Sequence, residues 1–408
     1  MEIATSFIYI DWETWNYWPH NLQTRTSDQF KNLPTSRFLQ LSQAALRGDF
    51  NGLFSELRWL QWFYAHPMVS FSAINLHLPE LVVLELSHNQ FTASWEGWNS
   101  IEAAKRLKVL DLSHSMHLRC TPDLSAFVEL ECLILYECRE LKQVHPSIGK
   151  VRSLVSLDLR YCVGLWDLPE EVGELEQLKE LVLDDAGIRN IPSSIGSLKK
   201  LEKLSASNCR SLRKIPNSIG NLSSLQHLDL HYCFSLSEVP SSIGDLQSLQ
   251  HLDISRSVIE KLPTAIGRLK KLQRLILTCC TSLKGEIPSE IGSLCSLENL
   301  EITFAPISSL PESIRNLSSL KRLDLMGCFE LQSLPELPSG LTYLAISCQS
   351  LRLPQLSSLI HIEELSIHGC DLQDECITEL PSRLLKLHFE SCRTLMLHKL
   401  EESRFVGM

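Results

Sequence analysis

The sequence predicts an α/β solenoid, and three observations predict it. A phrase, L-x-x-L-x-L-x-x-C, recurs along the 408 residues. A companion phrase, [IL]-P-x-x-I-G-x-L, follows it in unit after unit. The step between units is 23 to 25 residues from Leu107 to Leu320. Self-similarity at this period marks an array in which each unit stacks on its neighbours. A chain of this length would otherwise suggest two or three domains. A stacked core grows along one axis instead.

Taking the first leucine as position one, the units start at Ser36, Leu57, Leu81, Leu107, Leu130, Leu154, Leu178, Leu201, Leu225, Leu249, Leu272, Leu297, Leu320, Leu341, Ile362 and Leu384. The first start is degenerate. Outside the central stretch the steps run from 21 to 26 residues, as expected of terminal units. The expected organisation is a flank or cap over 1–35, an array of about 15–16 repeats over 36–400 and a tail over 401–408.

Each element has a physical reason. In Leu157-Asp158-Leu159 the alternation points the leucines inward and the residue between them outward, as a strand requires. Pro192, Pro216, Pro240, Pro263 and Pro288 stop the ladder, because proline has no N–H to donate. The Ile after each proline, and the Leu beyond Gly196, Gly220, Gly244, Gly267 or Gly292, return the chain to the core over a short helical or irregular arc. Those glycines would suit a tight backbone. Parallel strands ~4.8 Å apart would line an inner arc of roughly 75–80 Å. The expected fold is a leucine-rich-repeat horseshoe, with a parallel concave sheet and short helices or irregular arcs on the convex side.

Fourteen cysteines would suggest disulfides or zinc if read alone. Eight of them sit at position nine: Cys138, Cys162, Cys209, Cys233, Cys280, Cys328, Cys370 and Cys392. Cys348 lies one residue off that register, and Asn89 takes the place in one unit. Here a small inward group bonds neighbouring backbone, and a thiol packs as a small apolar one. No C-x-x-C pair exists, and so many unpaired thiols suit a reducing, cytoplasmic compartment.

The net charge of −10, from 38 basic and 48 acidic residues, argues against a nucleic-acid footprint. No apolar run reaches the ~20 residues of a membrane helix. Met1–Ile10 lacks the basic start and cleavage site of a signal peptide, and Asp11 and Glu13 follow at once. The sequons at Asn221 and Asn316 belong to the repeat phrase N-L-S-S-L. In the flank, Trp12, Trp15, Tyr17 and Trp18 either cover the open end of the core or stay disordered, and Ser27–Phe30 can start a short helix.

Several segments carry a family resemblance in order as well as in content. They are Glu56-Leu-Arg-Trp-Leu-Gln-Trp62, Leu81-Val-Val-Leu-Glu-Leu-Ser87, Leu107-Lys-Val-Leu-Asp-Leu-Ser-His114, Thr121-Pro-Asp-Leu-Ser125 and His145-Pro-Ser-Ile-Gly149. From about Phe30 to Cys392 the chain resembles the leucine-rich-repeat region of plant TIR–NB-ARC–LRR intracellular immune receptors. It carries no G-x-x-x-x-G-K-[ST] phosphate loop and no TIR-like βα region. Nucleotide exchange and NAD cleavage are therefore not assigned to it, no cofactor is expected, and it is read as a non-enzyme. The resemblance implies recognition of a protein partner and autoregulation. The partner would be a pathogen effector, a host protein, or the NB-ARC module of a fuller receptor. The alternatives are a cytosolic repeat scaffold, whose units favour Asn at position nine, or a receptor-like ectodomain. Only Gly285-Glu-Ile-Pro288 comes close to the L-x-G-x-I-P phrase of such ectodomains. An F-box-type adaptor is weaker still, since no such helical bundle precedes the array.

The outward positions three, five, seven and eight would carry function. Position five reads Asp111, Ile134, Asp158, Val182, Ser205, Asp229, Asp253, Ile276, Glu301 and Asp324, an acidic file expected to be a solvated face. Candidate partner-binding residues are Tyr136, Tyr161, His231, Tyr232, Arg256, Phe304 and Tyr343, at the eighth and nearby positions. They act as rigid anchors or else cover adjacent strand surface. His227 and His251, with Asp229 and Asp253, could form a square able to hold a metal. The open sheet and lack of a second shell favour no metal there.

Overall fold

The computed structural model describes residues 23–32, 35–65, 75–347, 359–369 and 381–390. The flank aromatics Trp12, Trp15, Tyr17 and Trp18, the cysteines at 348, 370 and 392, and the tail 401–408 lie outside these residues. The chain divides into two units, one formed by 1–212 with 218–225, the other by 213–217 with 226–408.

In the first unit eight strands form a parallel ladder in sequence order. They are Phe38–Ser42, Trp59–Phe63, Val83–Glu85, Val109–Asp111, Cys132–Ile134, Ser156–Asp158, Glu180–Val182 and Lys203–Ser205. The register joins like positions, so Leu60, Leu84, Leu110, Leu133 and Leu157 are successive partners. Each of these leucines is buried, as are Leu112, Leu135 and Leu159 at position six. That is the hydrophobic spine the alternation requires.

The degenerate unit at Ser36 is a full repeat whose strand pairs with Trp59–Phe63. The flank joins it. A strand over Gln23–Thr26, not expected from the sequence, pairs in parallel with Ala44–Arg47. The expected short helix is a 3-10 turn over Ser27–Phe30 with a capping box at Thr26. Its Phe30 is buried against Phe50 and Phe54, with ring centroids 5.7 and 5.4 Å away.

The second unit repeats the plan with His227–Asp229, His251–Asp253, Arg274–Ile276, Asn299–Glu301, Arg322–Leu325, Tyr343–Ser347, Glu364–His368 and Lys386–Glu390. All pair in parallel. A small second pairing joins Gly285–Glu286 to Ile307–Ser309. The receptor-like phrase at Gly285 therefore adds a local ladder to an otherwise ordinary repeat.

The return arcs are 3-10 helices. Pro192, Pro240, Pro263, Pro288 and Pro311 are their N-cap residues, with φ between −73 and −62°. Proline's fixed φ suits that extended entry. The glycines of I-G serve a different end from the one expected. Gly196, Gly244, Gly267 and Gly292 are not among the residues with positive φ. A Cβ at Gly267 would lie 2.4 Å from the Glu290 carbonyl oxygen, and one at Gly196 2.5 Å from that of Ser218. Glycine is there so that successive arcs can touch backbone to backbone.

Candidate protein-binding surface

Two columns at the strand ends set the geometry of the outward face. At position nine the expected small group is in place. Cys138, Cys162 and Cys209 each direct Sγ at the position-six carbonyl of the preceding unit, 3.1 Å away. Cys328 does the same to Ile302 at 2.8 Å. Asn89 does the work with a stronger donor, bonding Trp62 O at 2.7 Å and Leu86 O at 2.8 Å. Burial disfavours the thiolate at Cys138, Cys162 and Cys328. It pushes Cys138 up to about 12 and Cys328 up to about 11, and raises Cys162 as well.

Position eight is left-handed. His88, His114, Glu137, Tyr161, Asp185 and Asn208 have φ of 57 to 59°. Tyr232, Arg256, Cys279 and Phe304 have φ of 51 to 61°, and Gly327 fills the place at 74°. An L-residue here costs roughly 1–2 kcal/mol. What holds it is a bond from its own N–H to the position-seven carbonyl of the next strand. Tyr161 donates to Asp184 O at 2.8 Å, Tyr232 to Ser255 O at 2.9 Å and Phe304 to Met326 O at 2.7 Å. The reversal turns each eighth side chain out along the end of its strand.

In the first unit this places a run of rings on successive repeats. Tyr64 stacks on His88 at 5.0 Å, and His88 on His114 at 4.2 Å with the planes 6° apart. His114 meets Tyr136 edge-on at 5.3 Å, and Tyr136 meets Tyr161 likewise at 5.3 Å. Tyr64 is 48% exposed and Tyr161 40%. Burial, and secondly the adjacent His114, hold the His88 imidazole below its usual range. The structure thus brings Tyr136 and Tyr161 together. Tyr64, His88 and His114 were missed by counting only the more C-terminal tyrosines. Their common position eight was the signal that joins them.

In the second unit His231 and Tyr232 meet at 5.1 Å, and the Arg256 guanidinium lies over the Tyr232 ring at 4.7 Å. Tyr343, at position three, is covered by Arg322 at 3.6 Å. Phe304 stands apart from these pairs. It is half exposed and leans over Gly327, where a Cβ would meet its ring at 2.3 Å. Tyr343 lies half-buried beneath the Arg322 guanidinium. Burial raises its phenol pKa, and Asp324 adds to the effect.

The acidic file is only in part the solvated face expected, with Asp111, Asp229, Asp253 and Glu301 partly exposed. Glu85↔Asp111, Ile134↔Asp158 and Glu301↔Asp324 are register partners as predicted. Asp158, Val182, Ser205 and Asp324 are nevertheless buried. Neighbours one strand spacing away and the side chains two residues along close over them. Arg160 binds Asp158 through Nε and Nη2 at 3.0 and 2.5 Å while lying over Tyr136 at 5.3 Å. His227 and His251, and Asp229 and Asp253, are register partners as the sequence places them. His227 and His251 stack on each other at 4.5 Å. The donors that converge, within 4.8 Å of one another, are Asp229, His231 and Asp253. His231 Nδ1 lies 2.8 Å from Asp229 Oδ1, so the imidazole occupies the space between the carboxylates.

A ladder of parallel strands, a buried leucine spine and a bonded ninth position define a leucine-rich-repeat protein. Residues 109–237 and 232–306 match the family described as "Leucine-rich repeat region". The chain is similar to the TMV resistance protein N of Nicotiana glutinosa, 33% identical over 170 residues that cover 36% of this chain. It is also similar to the disease resistance protein RPP2A of Arabidopsis thaliana, 34% identical over 181 residues and 38% of this chain. It spans only 14% of the first relative's length and 13% of the second's. Among solved structures, the Drosophila Toll–Spatzle complex shares the fold with a TM-score of 0.70 at 17% identity, covering 95% of this chain and 56% of that one. A leucine-rich-repeat protein of Leptospira interrogans shares it at 0.57 and 23%, covering 86% and 93%. The chain is thus similar to the leucine-rich-repeat part of these plant disease-resistance proteins, and the repeats are what it shares with them. Among the described residues, no helix is long and apolar enough to cross a membrane.

Proposed function

We propose that this array is the recognition and autoregulatory part of a plant innate-immune receptor, acting by binding and not by catalysis. It binds a pathogen effector or a host protein in the cytoplasm through the outward strand face, and restrains an NB-ARC module in a fuller receptor. The observation that carries this reading is the run of rings from Tyr64 to Tyr161 at the strand ends, with Tyr64, His88, His114 and Tyr161 on left-handed residues and Tyr136 one position before the left-handed Glu137. Rigid amphipathic rings on a fixed scaffold are good anchors, because little rotamer entropy is lost on binding. The relatives' names as disease-resistance proteins support the immune role. Binding shifts the receptor between its states through differential affinity for them. The test is Tyr161→Ala with Tyr232→Ala in a receptor carrying this array. Loss of effector-triggered signalling at unchanged protein level is expected. Unchanged recognition of every partner overturns the reading.

A further inference from the structure

The outward face contains its own template for binding a guanidinium. Glu301 and Asp324 are register partners on adjacent parallel strands. Like charges directly opposite one another are destabilising. Here one arginine resolves the conflict. Arg322 places Nε 3.6 Å from Glu301 Oε1 and Nη2 3.2 Å from Asp324 Oδ2, with its plane 3.6 Å from the Tyr343 ring centroid. Arg160 does the same with a single acid, lying between Asp158 and the Tyr136 ring. Acid at position five, ring beside it and guanidinium across both is thus a unit this chain builds twice.

Glu85 and Asp111 form the same register pair in the first unit. The hydrogen bonds they accept come from neutral donors. Glu85 takes Trp59 Nε1 at 2.9 Å and Gln61 Nε2 at 2.7 Å, and Asp111 takes the Ser113 amide at 2.8 Å. Burial, with Asp111 adding to it, raises the Glu85 carboxyl above its usual range, as expected of an acid whose charge is poorly compensated. In the same two repeats, position eight supplies the stacked rings of His88 and His114, with Tyr64 beside them. Acids and rings are both present, on repeats that supply no guanidinium of their own to the pair.

We propose that Glu85 and Asp111, with the stacked rings of Tyr64, His88 and His114 at the ends of their own and the preceding strand, receive an arginine side chain from an extended, basic segment of a protein partner. The occupant follows from charge complementarity. A net charge of −10 draws cationic segments to the chain, and paired carboxylates match the planar fork of guanidinium better than the point charge of an ammonium. The proposal deepens the recognition reading, but its residues are not Tyr161 or Tyr232, so each can fail without the other.

The test is fluorescence anisotropy with the full chain and three labelled decapeptides, alternating Arg-Gly, Lys-Gly and Glu-Gly. The Arg-Gly peptide is expected to bind at least ~10-fold more tightly than Lys-Gly, and Glu-Gly not to bind. Glu85→Gln with Asp111→Asn is expected to weaken Arg-Gly binding by about 10-fold or more, since charge-assisted bonds are roughly twice as strong as neutral ones. Both changes are isosteric; Asp111→Asn keeps the oxygen that receives Ser113, whereas Glu85→Gln keeps one of the two oxygens that receive Trp59 and Gln61, and the Gln61 amide must turn over to pair with the new donor. Glu180→Gln, on a carboxylate already paired with Lys203 at 2.7 Å, is expected to leave it unchanged. Equal binding of Arg-Gly and Lys-Gly, or of the double variant and the parent, overturns the assignment. Should the double variant misfold by circular dichroism, His88→Ala serves in its place, and unaltered Arg-Gly affinity there overturns it equally.

Discussion

Raising the pH should unfold this protein through its ninth-position thiols. Cys138 is buried, bonds Leu112 O at 3.1 Å and has its pKa pushed up to about 12 from an ordinary 9.0. Between those values the folded chain keeps a proton that the unfolded chain has lost. Stability therefore falls as pH rises, from the unfolded thiol's pKa toward the folded one. Between about pH 8 and about pH 10.5, linkage gives a loss of about 2 kcal/mol for this single thiol. Lysines and tyrosines also titrate there, so the measurement is a comparison. Urea-unfolding midpoints for the parent and Cys138→Ala are taken at both pH values. The variant is weaker throughout, having lost a bond and some packing, but its pH dependence should be flatter by about 2 kcal/mol. Parallel pH dependences would refute the argument and mean that the thiolate is accommodated in the folded state.

The close arcs make a second prediction. Gly267→Ala should cost about 1–3 kcal/mol by overpacking, because its Cβ would lie 2.4 Å from the Glu290 carbonyl. Gly340→Ala, whose Cβ would meet nothing nearer than 3.4 Å, should lie within about 0.5 kcal/mol of the parent. Thermal melts of the two variants check the contrast, and equal losses would count against arc contact as the glycine's purpose. At position eight, Asp185 has φ of 59°, which a β-branched side chain tolerates worst. Asp185→Val should cost about 1–3 kcal/mol and Asp185→Gly clearly less, read from denaturant midpoints. Since both variants lose the bond from Asn208, the difference between them isolates the backbone strain.

The spine, the arcs and the ninth column were legible in the sequence because each depends on residue chemistry that repeats. Leucine at four and six, proline before the arc and a small donor at nine are all written in letters. The left-handed column was not legible. His88, Glu137, Tyr161, Asp185, Arg256, Cys279 and Phe304 share no chemistry, and what they share is a backbone angle. Gly327 and Gly369 are the letters in the column that betray it, supported by His, Asp and Asn in other units. The solvated reading of position five failed at Asp158 and Asp324 for a related reason. A sequence gives the direction in which Asp158 or Asp324 points, but not that a neighbour one strand away will lie over it.

That difference separates what must be kept from what can change. The bond that sustains position eight runs from one backbone amide to one backbone carbonyl, as from Tyr161 to Asp184. It carries no demand on the side chain beyond tolerance of the left-handed angle. Cys162 at position nine, by contrast, needs a small group that reaches Leu135 O, and Leu157 and Leu159 need to fill a spine without voids. Changes at four, six or nine strike the fold. Changes at eight among residues that are neither glycine nor β-branched meet similar, modest strain. The strand-end column is therefore where such an array can be rewritten for a new partner at nearly constant stability. It is also where this chain has placed its stacked rings.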